Sequence, residues 1–85
     1  MNIQLRYFAS VREAVGASQE ALTLPSHVRT VGDVRRHLRE RGGVWADTLA
    51  AGRALRMAFN HQMTDESTPL AEGGEVAFFP PVTGG

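Results

Sequence analysis

The sequence has no cysteine and no lysine. Without cysteine the chain can form no disulfide framework and offers no thiol nucleophile. Without lysine, Schiff-base chemistry and side-chain amine acceptors are excluded from this chain. All nine cationic residues are arginines, whose planar guanidinium groups suit pairing with carboxylates on a partner. Any role in handling sulfur would therefore have to use sulfur supplied from outside.

The nine arginines are balanced by nine acidic residues, so the formal net charge is zero. A nucleic-acid partner is not expected, because binding phosphates needs a clustered surplus of cations. No apolar run approaches the ~20 residues that span a bilayer, and the first ten residues do not resemble a signal peptide. We expect a cytoplasmic protein with no membrane partner. A length of 85 residues suffices for one compact domain.

Alternating apolar and polar residues predict a strand over residues 2–9 and a second over residues 19–24, returning antiparallel to the first. Between them, Ser10 with Glu13 three positions later is a capping-box pattern, which predicts a short helix over residues 11–15. Gly16 stands in the C′ position and is predicted to end this helix.

The main helix is predicted to begin at Thr30, with Asp33 in its first turn, and to stop at Gly42-Gly43. A shorter helix through Trp45 follows and ends at Gly52. The remaining strands are predicted over residues 54–59, 62–64 and 75–79.

This order of elements is that of an α+β roll of the β-grasp type, a mixed sheet of four to five strands packed on one main helix. We expect residues 1–79 to form the domain and residues 80–85 an extended functional tail. A self-contained active site is not predicted, because the chain lacks a G-x-S-x-G elbow and a phosphate-binding glycine loop. Metal-ligand spacing is also absent from the three histidines, His27, His37 and His61. We expect no metal and no cofactor bound by this chain.

The C-terminal run carries the strongest functional signal. Pro80-Pro81 stiffens its base, and Gly84-Gly85 has no side chains, so a terminal carboxylate could pass down a narrow channel in a partner. From Phe79 to Gly85, six extended residues reach about 20 Å at ~3.3–3.6 Å each. The carboxylate could then react deep in a partner while the domain docks outside. The alternative is a frayed tail without function.

A carboxylate is a poor electrophile because it carries its own negative charge. An ATP-dependent partner can convert it to an acyl-adenylate, which a persulfide attacks. Subsequent reduction leaves a terminal thiocarboxylate, a softer nucleophile that can deliver sulfur. For a carrier without cysteine this is the only evident route to bound sulfur.

An apolar patch is predicted beside the tail. Both faces of the last strand are apolar, so one of its two phenylalanines is expected in the core and the other on the outer face. Phe8 lies in register with polar residues of the first strand and is expected on the same side. A patch of Phe8, Phe79 and Met63 would mark a docking site. The alternative is that loops or the short helix cover these side chains.

The sequence resembles the MoaD-type sulfur carriers, the small-subunit family of molybdopterin synthase, over nearly the whole chain. The resemblance rests on residues 7–13, on Thr30-Val31 through Leu38, on Asn60 and on Glu75–Gly85. The last run, Glu-Val-Ala-Phe-Phe-Pro-Pro-Val-Thr-Gly-Gly, is the specific part. The chain departs from the family at Glu72-Gly73-Gly74, where an Asp-Gly-Asp turn is common.

The resemblance implies a ubiquitin-like β-grasp fold and two successive partners. A ubiquitin-activating-like adenylyltransferase would activate Gly85 with ATP, and the large catalytic subunit of molybdopterin synthase would then receive the tail. There the thiocarboxylate would give sulfur to cyclic pyranopterin monophosphate. The chain would be the non-catalytic sulfur donor of a heterotetramer, with no activity alone.

The implied site residues form three groups. Gly85 is the reacting residue. The tail that enters the partner comprises Pro80, Pro81, Val82, Thr83 and Gly84. The partner interface comprises Phe8, Arg12, Met63 and Phe79.

Three other functions stay open. A sulfur carrier for thiamin synthesis or tRNA thiolation shares the fold and the terminal glycines, although the Phe-Phe-Pro-Pro run disfavours it. A protein modifier would join Gly85 to a lysine of a target protein. A passive β-grasp binding module would keep its function without the last glycine, whereas a carrier would lose all of it.

Overall fold

Strands and helices follow one another in the predicted order within residues 1–81, the part of the chain that this computed structural model describes. The elements are β1 (Asn2–Tyr7), α1 (Ala9–Val15), β2 (Gln19–Thr23), α2 (Val31–Arg39), α3 (Gly43–Thr48), β3 (Arg56–Phe59), β4 (Gln62–Thr64) and β5 (Glu75–Phe79). None of the helices in this range has the length and apolar character to cross a membrane.

The strands form one mixed sheet in the order β2-β1-β5-β3-β4. β1 and β5 are parallel, and the other neighbours are antiparallel. The predicted α+β class and mixed sheet are therefore confirmed. The last strand lies in the middle of the sheet between β1 and β3, so the chain leaves the domain from the centre of the sheet.

The core lies between one face of the sheet and the helices. This inner face carries alternate residues of the strands, and α2 contributes the apolar stripe that its helical spacing predicts. The fully or almost fully buried members are Ile3, Leu5, Tyr7, Val76, Phe78, Val31, Val34 and Leu38. Burying side chains of this kind stabilises the fold by about 1.5–3 kcal/mol each.

The start of α2 is capped twice. The predicted start at Thr30 is confirmed, and Thr30 and Asp33 form a capping box, in which the Thr30 hydroxyl accepts from the Asp33 N–H at 3.1 Å. The next two backbone N–H groups donate to the loop before β5, from Val31 to the Thr68 carbonyl at 3.0 Å and from Gly32 to the Glu66 carbonyl at 2.9 Å. The first four backbone N–H groups of a helix have no acceptor within the helix. In α2, those of Val31, Gly32 and Asp33 find acceptors in neighbouring groups.

The predicted start of α1 was wrong. The helix begins at Ala9, with Phe8 as its N-cap and no side-chain cap, so Ser10 lies inside the helix. Pairing with β5 keeps Phe8 extended, since its N–H donates to the Phe78 carbonyl at 3.2 Å. Ala9 then turns the chain directly into the helix with a φ of +50°. The predicted glycine end is confirmed, because Gly16 adopts the left-handed conformation.

Other boundaries also differ from the prediction. β1 ends at Tyr7 rather than at residue 9, and β2 ends at Thr23 rather than at residue 24. α2 ends at Arg39, before the glycine pair, and Gly42 instead caps α3, which ends at Thr48 rather than near Gly52. β3 begins only at Arg56 because its partner there is the last residue of β5, and the following proline cannot extend the ladder. The buried Arg35 of α2 holds the loop before β3, because its guanidinium donates to the backbone carbonyls of Leu49 and Arg53.

Candidate functional site

β5 delivers the chain to the tail at the carboxyl end of the central strand. Phe79 is the last residue of β5, and Pro80 and Pro81 follow it, both half-buried. The other predicted tail residues, Val82, Thr83, Gly84 and Gly85, lie outside the described residues. The site that the structure defines is therefore the root of the tail and the surface around it.

The two predicted phenylalanines lie together on the outer face of the sheet. Phe8 follows β1 and Phe79 ends β5, and these strands are parallel neighbours, so both side chains reach the same end. Their ring centroids are 6.3 Å apart in an edge-to-face arrangement. Phe8 is 39% exposed, and the Arg6 guanidinium lies 5.5 Å from its ring centre. The α1 helix does not cover this pair, contrary to the alternative considered from the sequence.

The other two predicted interface residues lie further away. Met63 is in β4, opposite Ala58 of β3, and is 60% exposed on the outer face. One strand separates it from Phe79, so the two side chains border a common surface rather than meet. Arg12 is an exposed residue of α1, the helix that starts directly after Phe8. Their role as partner contacts stays a prediction.

The tail root also borders a cleft that the sequence analysis missed. The cleft has a volume of about 340 Å³ and lies between α1 and the segment that leads into β3. Pro80 lines it together with Val11, Leu55 and the cationic Arg53. It depends on how a helix packs against a loop far along the chain, for which the sequence offers no local signal.

The polar end of the outer face is organised around Glu75. Its carboxylate lies 4.0 Å from Arg6 and 3.6 Å from His61, and its backbone N–H donates to the Asn60 side chain at 2.9 Å. Asn60 and His61 both have positive φ and form a tight turn between β3 and β4. Glu75, Asn60 and His61 lie at the opposite end of β5 from the tail, and the Arg6 guanidinium lies between Glu75 and the Phe8 ring.

Among residues 1–81, the titratable group with the largest pKa shift is Tyr7, which lies buried on the inner face of the sheet, opposite the face that carries Phe8 and Phe79. Burial, and then a hydrogen bond to Glu20 at 2.8 Å, raise the pKa of Tyr7 well above its usual range. Arg41 binds the same carboxylate oxygen at 2.9 Å and stacks over Trp45 at 4.5 Å. This cluster keeps the tyrosine hydroxyl protonated and joins β2 to the helical layer. It is structural rather than reactive.

The side chains described around the tail root are apolar, cationic or, at Ser10 and Thr48 of the cleft, neutral hydroxyl groups. Phe8 and Phe79 form its apolar part, and Arg6, Arg53 and Arg56 surround it. Such a surface is suited to docking on a protein with apolar and acidic groups. General acid–base catalysis would need groups with pKa values tuned near neutrality, and none of the shifts resolved in residues 1–81 is of that kind.

A profile described as the ThiS family matches residues 5–85. The chain belongs to the ThiS family. It is 41% identical over 83 residues to the molybdopterin synthase sulfur carrier subunit of Escherichia coli (strain K12), covering 98% of this chain and 99% of that protein. The MoaD-type resemblance inferred from the sequence is thereby confirmed.

Solved structures show the same fold. SAMP1 from Haloferax volcanii has a TM-score of 0.78 at 23% identity, with all of both chains covered. A chain in the complex of subunits 1 and 2 of molybdopterin-converting factor from Helicobacter pylori has a TM-score of 0.68 at 21% identity, again with both chains covered in full. At such identities the likeness shows the fold alone. The predicted ubiquitin-like β-grasp fold is confirmed.

Proposed function

We propose that this chain is a sulfur carrier in molybdenum cofactor biosynthesis and that its reacting group is the carboxylate of Gly85. One observation carries the proposal. The central strand β5 runs directly into Pro80-Pro81, so the root of the tail lies at the middle of the sheet, beside the exposed Phe8 and the half-buried Phe79. The full-length likeness to the Escherichia coli sulfur carrier subunit favours this pathway over thiamin synthesis or tRNA thiolation.

The chemistry begins with a partner, a ubiquitin-activating-like adenylyltransferase. The Gly85 carboxylate attacks the α-phosphorus of ATP and releases pyrophosphate, which yields an acyl-adenylate. A persulfide then attacks the carbonyl carbon and displaces AMP. A thiol reductant supplies two electrons to cleave the sulfur–sulfur bond, and the thiocarboxylate remains on Gly85.

Sulfur transfer takes place in the large catalytic subunit. The domain docks through the outer face of its sheet, with Phe8, Met63 and Phe79 in contact and Arg12 at the border. The tail then reaches inward, and the thiocarboxylate sulfur attacks a carbon of cyclic pyranopterin monophosphate. A carbon–sulfur bond forms as the carbon–oxygen bond at that carbon breaks, and the leaving oxygen takes up a proton. Water hydrolyses the resulting thioester and returns the Gly85 carboxylate. Each dithiolene therefore needs two carriers, in keeping with a heterotetramer of two small and two large subunits.

The decisive experiment measures the intact mass of the purified protein after incubation with ATP, the cognate adenylating enzyme and a persulfide donor. We expect a shift matching the exchange of one oxygen for sulfur, located at Gly85 by fragmentation. Omitting ATP is the matched control and should leave the mass unchanged. An unchanged mass with a demonstrably active adenylating enzyme would contradict the proposal and favour a passive binding module.

A further inference from the structure

The cleft beside the tail root has two walls that come from distant parts of the chain. One wall is α1, which contributes Ser10, Val11 and Ala14, and the other is the segment of residues 48–55. Pro80 lines the cleft from the end of β5. Because Val11 also belongs to the hydrophobic core, the cleft lies on the helical side of the sheet rather than on the outer face.

The second wall is held in place by Arg35 of α2. The Arg35 side chain is almost fully buried, and its guanidinium donates to the Leu49 carbonyl at 2.8 Å and to the Arg53 carbonyl at 3.0 Å. Hydrogen bonds from a charged donor are stronger than neutral ones, so they fix the backbone that carries this wall. The cleft is therefore built into the fold.

The lining of the cleft combines apolar groups with one cation. Val11, Leu55 and Pro80 supply apolar surface, and Arg53 is the one charged residue among the described residues that line it. Within residues 1–81, no carboxylate lies within ion-pair distance of Arg53. A short peptide segment with one apolar side chain and an anionic group would match this lining.

The last four residues of the chain have this composition, and they start at the rim of the cleft. Residues 82–85 supply one apolar side chain, Val82, then a hydroxyl group and two glycines, which take little space. Four extended residues reach about 13 Å at ~3.3–3.6 Å each. Since Arg53 lines the same cleft as the tail root, a carboxylate at Gly85 is within reach of its guanidinium.

We propose that the cleft binds the chain's own C-terminal segment, with Val82 against Val11 and Leu55 and the Gly85 carboxylate paired with Arg53. This inference rests on the proposed function, which assigns a free carboxylate to Gly85. A thiocarboxylate is also an anion, so the loaded tail binds the same cleft between its two partners.

The contact is reversible. A short tether gives the tail an effective concentration in the millimolar range, whereas an ion pair on an exposed arginine is weak. A partner that binds the tail therefore displaces it from the cleft, and the contact adds little to the melting temperature of the domain.

The test uses NMR spectroscopy of the full-length, unmodified chain labelled with carbon-13 and nitrogen-15. We expect NOE cross-peaks between the methyl groups of Val82 and Leu55, and we expect Arg53→Gln to remove them. The matched control is Arg29→Gln, which removes the same charge from an exposed residue outside the cleft and should leave the cross-peaks in place. The heteronuclear 1H–15N NOE of the Gly85 amide should fall in Arg53→Gln only.

A second measurement needs no variant. Raising the salt concentration of the wild type to about 1 M shortens the Debye length to ~3 Å and should weaken the same cross-peaks, because the ion pair is exposed. This measurement decides the matter if Arg53→Gln does not fold, which its amide spectrum shows.

The outcomes separate the two levels of inference. Absence of cross-peaks between Val82 and the cleft in the wild type overturns the self-binding. Cross-peaks that persist in folded Arg53→Gln, or that survive high salt unchanged, overturn the pairing with Arg53. The mass shift at Gly85 tests the carrier role separately, since sulfuration does not require the tail to bind the cleft.

Discussion

On the inner face of the sheet Leu5, Val76 and Phe78 have no exposed surface, whereas on the outer face Phe8 and Met63 are exposed beside two alanines. The same five strands carry both faces, and successive residues of β5 alternate between them. The inner residues are large and fill the space against α2. The outer residues include the exposed Phe8 ring, the half-buried Phe79 ring and the exposed Met63 side chain. The comparison separates residues that maintain the fold from residues that the proposed function assigns to docking.

The largest expected effect is a loss of sulfur transfer, and it comes from a change in the tail that alters neither face of the sheet. Deleting Gly85 should abolish sulfur transfer, because the truncated chain presents a carboxylate one residue short of the reacting position. The melting temperature should stay at the wild-type value, since both faces of the domain are intact. Activity is measured with the reconstituted synthase and stability by thermal unfolding. Retained transfer would refute the role of Gly85, and a large loss of stability would show that the tail belongs to the fold.

Neighbouring phenylalanines of β5 test the two faces directly. Phe78→Ala removes a fully buried ring and should lower the free energy of unfolding by about 3–5 kcal/mol. Phe79→Ala removes a half-buried ring that contacts Phe8 and should cost only about 0.5–1.5 kcal/mol. The binding to the large subunit should respond in the opposite sense, with Kd rising about tenfold or more for the folded Phe79→Ala variant.

Chemical denaturation measures the free energy of unfolding of each variant, and calorimetric titration measures its Kd for the large subunit. Equal losses of stability from the two variants would remove the distinction between the faces. An unchanged Kd for Phe79→Ala would place the interface elsewhere. Both variants make the same chemical change at adjacent positions, so each is the control for the other.

The inner layer also depends on a close contact between α2 and the loop before β5. A Cβ added at Gly32 would lie 2.8 Å from the Glu66 Cβ and 3.0 Å from the Glu66 carbonyl oxygen. Gly32→Ala should therefore displace the loop that caps the helix and lower the free energy of unfolding by about 1–3 kcal/mol. Gly52→Ala is the control, because a Cβ there meets no atom within 4 Å. Chemical denaturation compares the two, and equal stabilities would mean that the loop adapts at no cost.

Features with a local cause were predictable from the sequence. The alternation of Ile3, Leu5 and Tyr7 specified the buried face of β1, and the Thr30 and Asp33 pair specified the start of α2. The alternation within the terminal run indicated that one phenylalanine of β5 is buried in the core, which is Phe78, and that the other lies on the outer face, which is Phe79. These signals depend on residues a few positions apart, which is the range over which periodicity and capping act.

Features that depend on distant pairing were not predictable. The Ser10 capping box failed because contact with β5 keeps the preceding Phe8 extended and starts the helix early. The edge-to-face contact of Phe8 with Phe79 requires β1 and β5 to be neighbours, which follows from the order of the strands. The cleft beside the tail root has the same origin. Strand order brings together residues that share no local pattern.

The smallest expected effect is on the melting temperature, and it comes from Asp33 at the start of α2, whose stabilising contribution depends on pH. Hydrogen bonds from the backbone N–H groups of Arg29 and Thr30 hold the pKa of Asp33 below its ordinary value of 3.8. Because the folded-state pKa is the lower one, the ionised carboxylate stabilises the fold above the unfolded-state value. That contribution is lost as the pH falls through the folded-state pKa. Asp33→Asn removes it at all pH values.

The melting temperature of the wild type should therefore exceed that of Asp33→Asn by a constant amount near neutral pH, and the gap should close below about pH 4. Thermal unfolding of both proteins across this range measures the gap. Arg36→Gln is a useful companion, since Arg36 pairs with the same carboxylate at 3.1 Å on an exposed surface and should contribute little. A gap that persists in acid would mean that Asp33 acts through geometry rather than charge. The start of α2 would then be insensitive to pH, like the apolar contacts of the inner face that it supports.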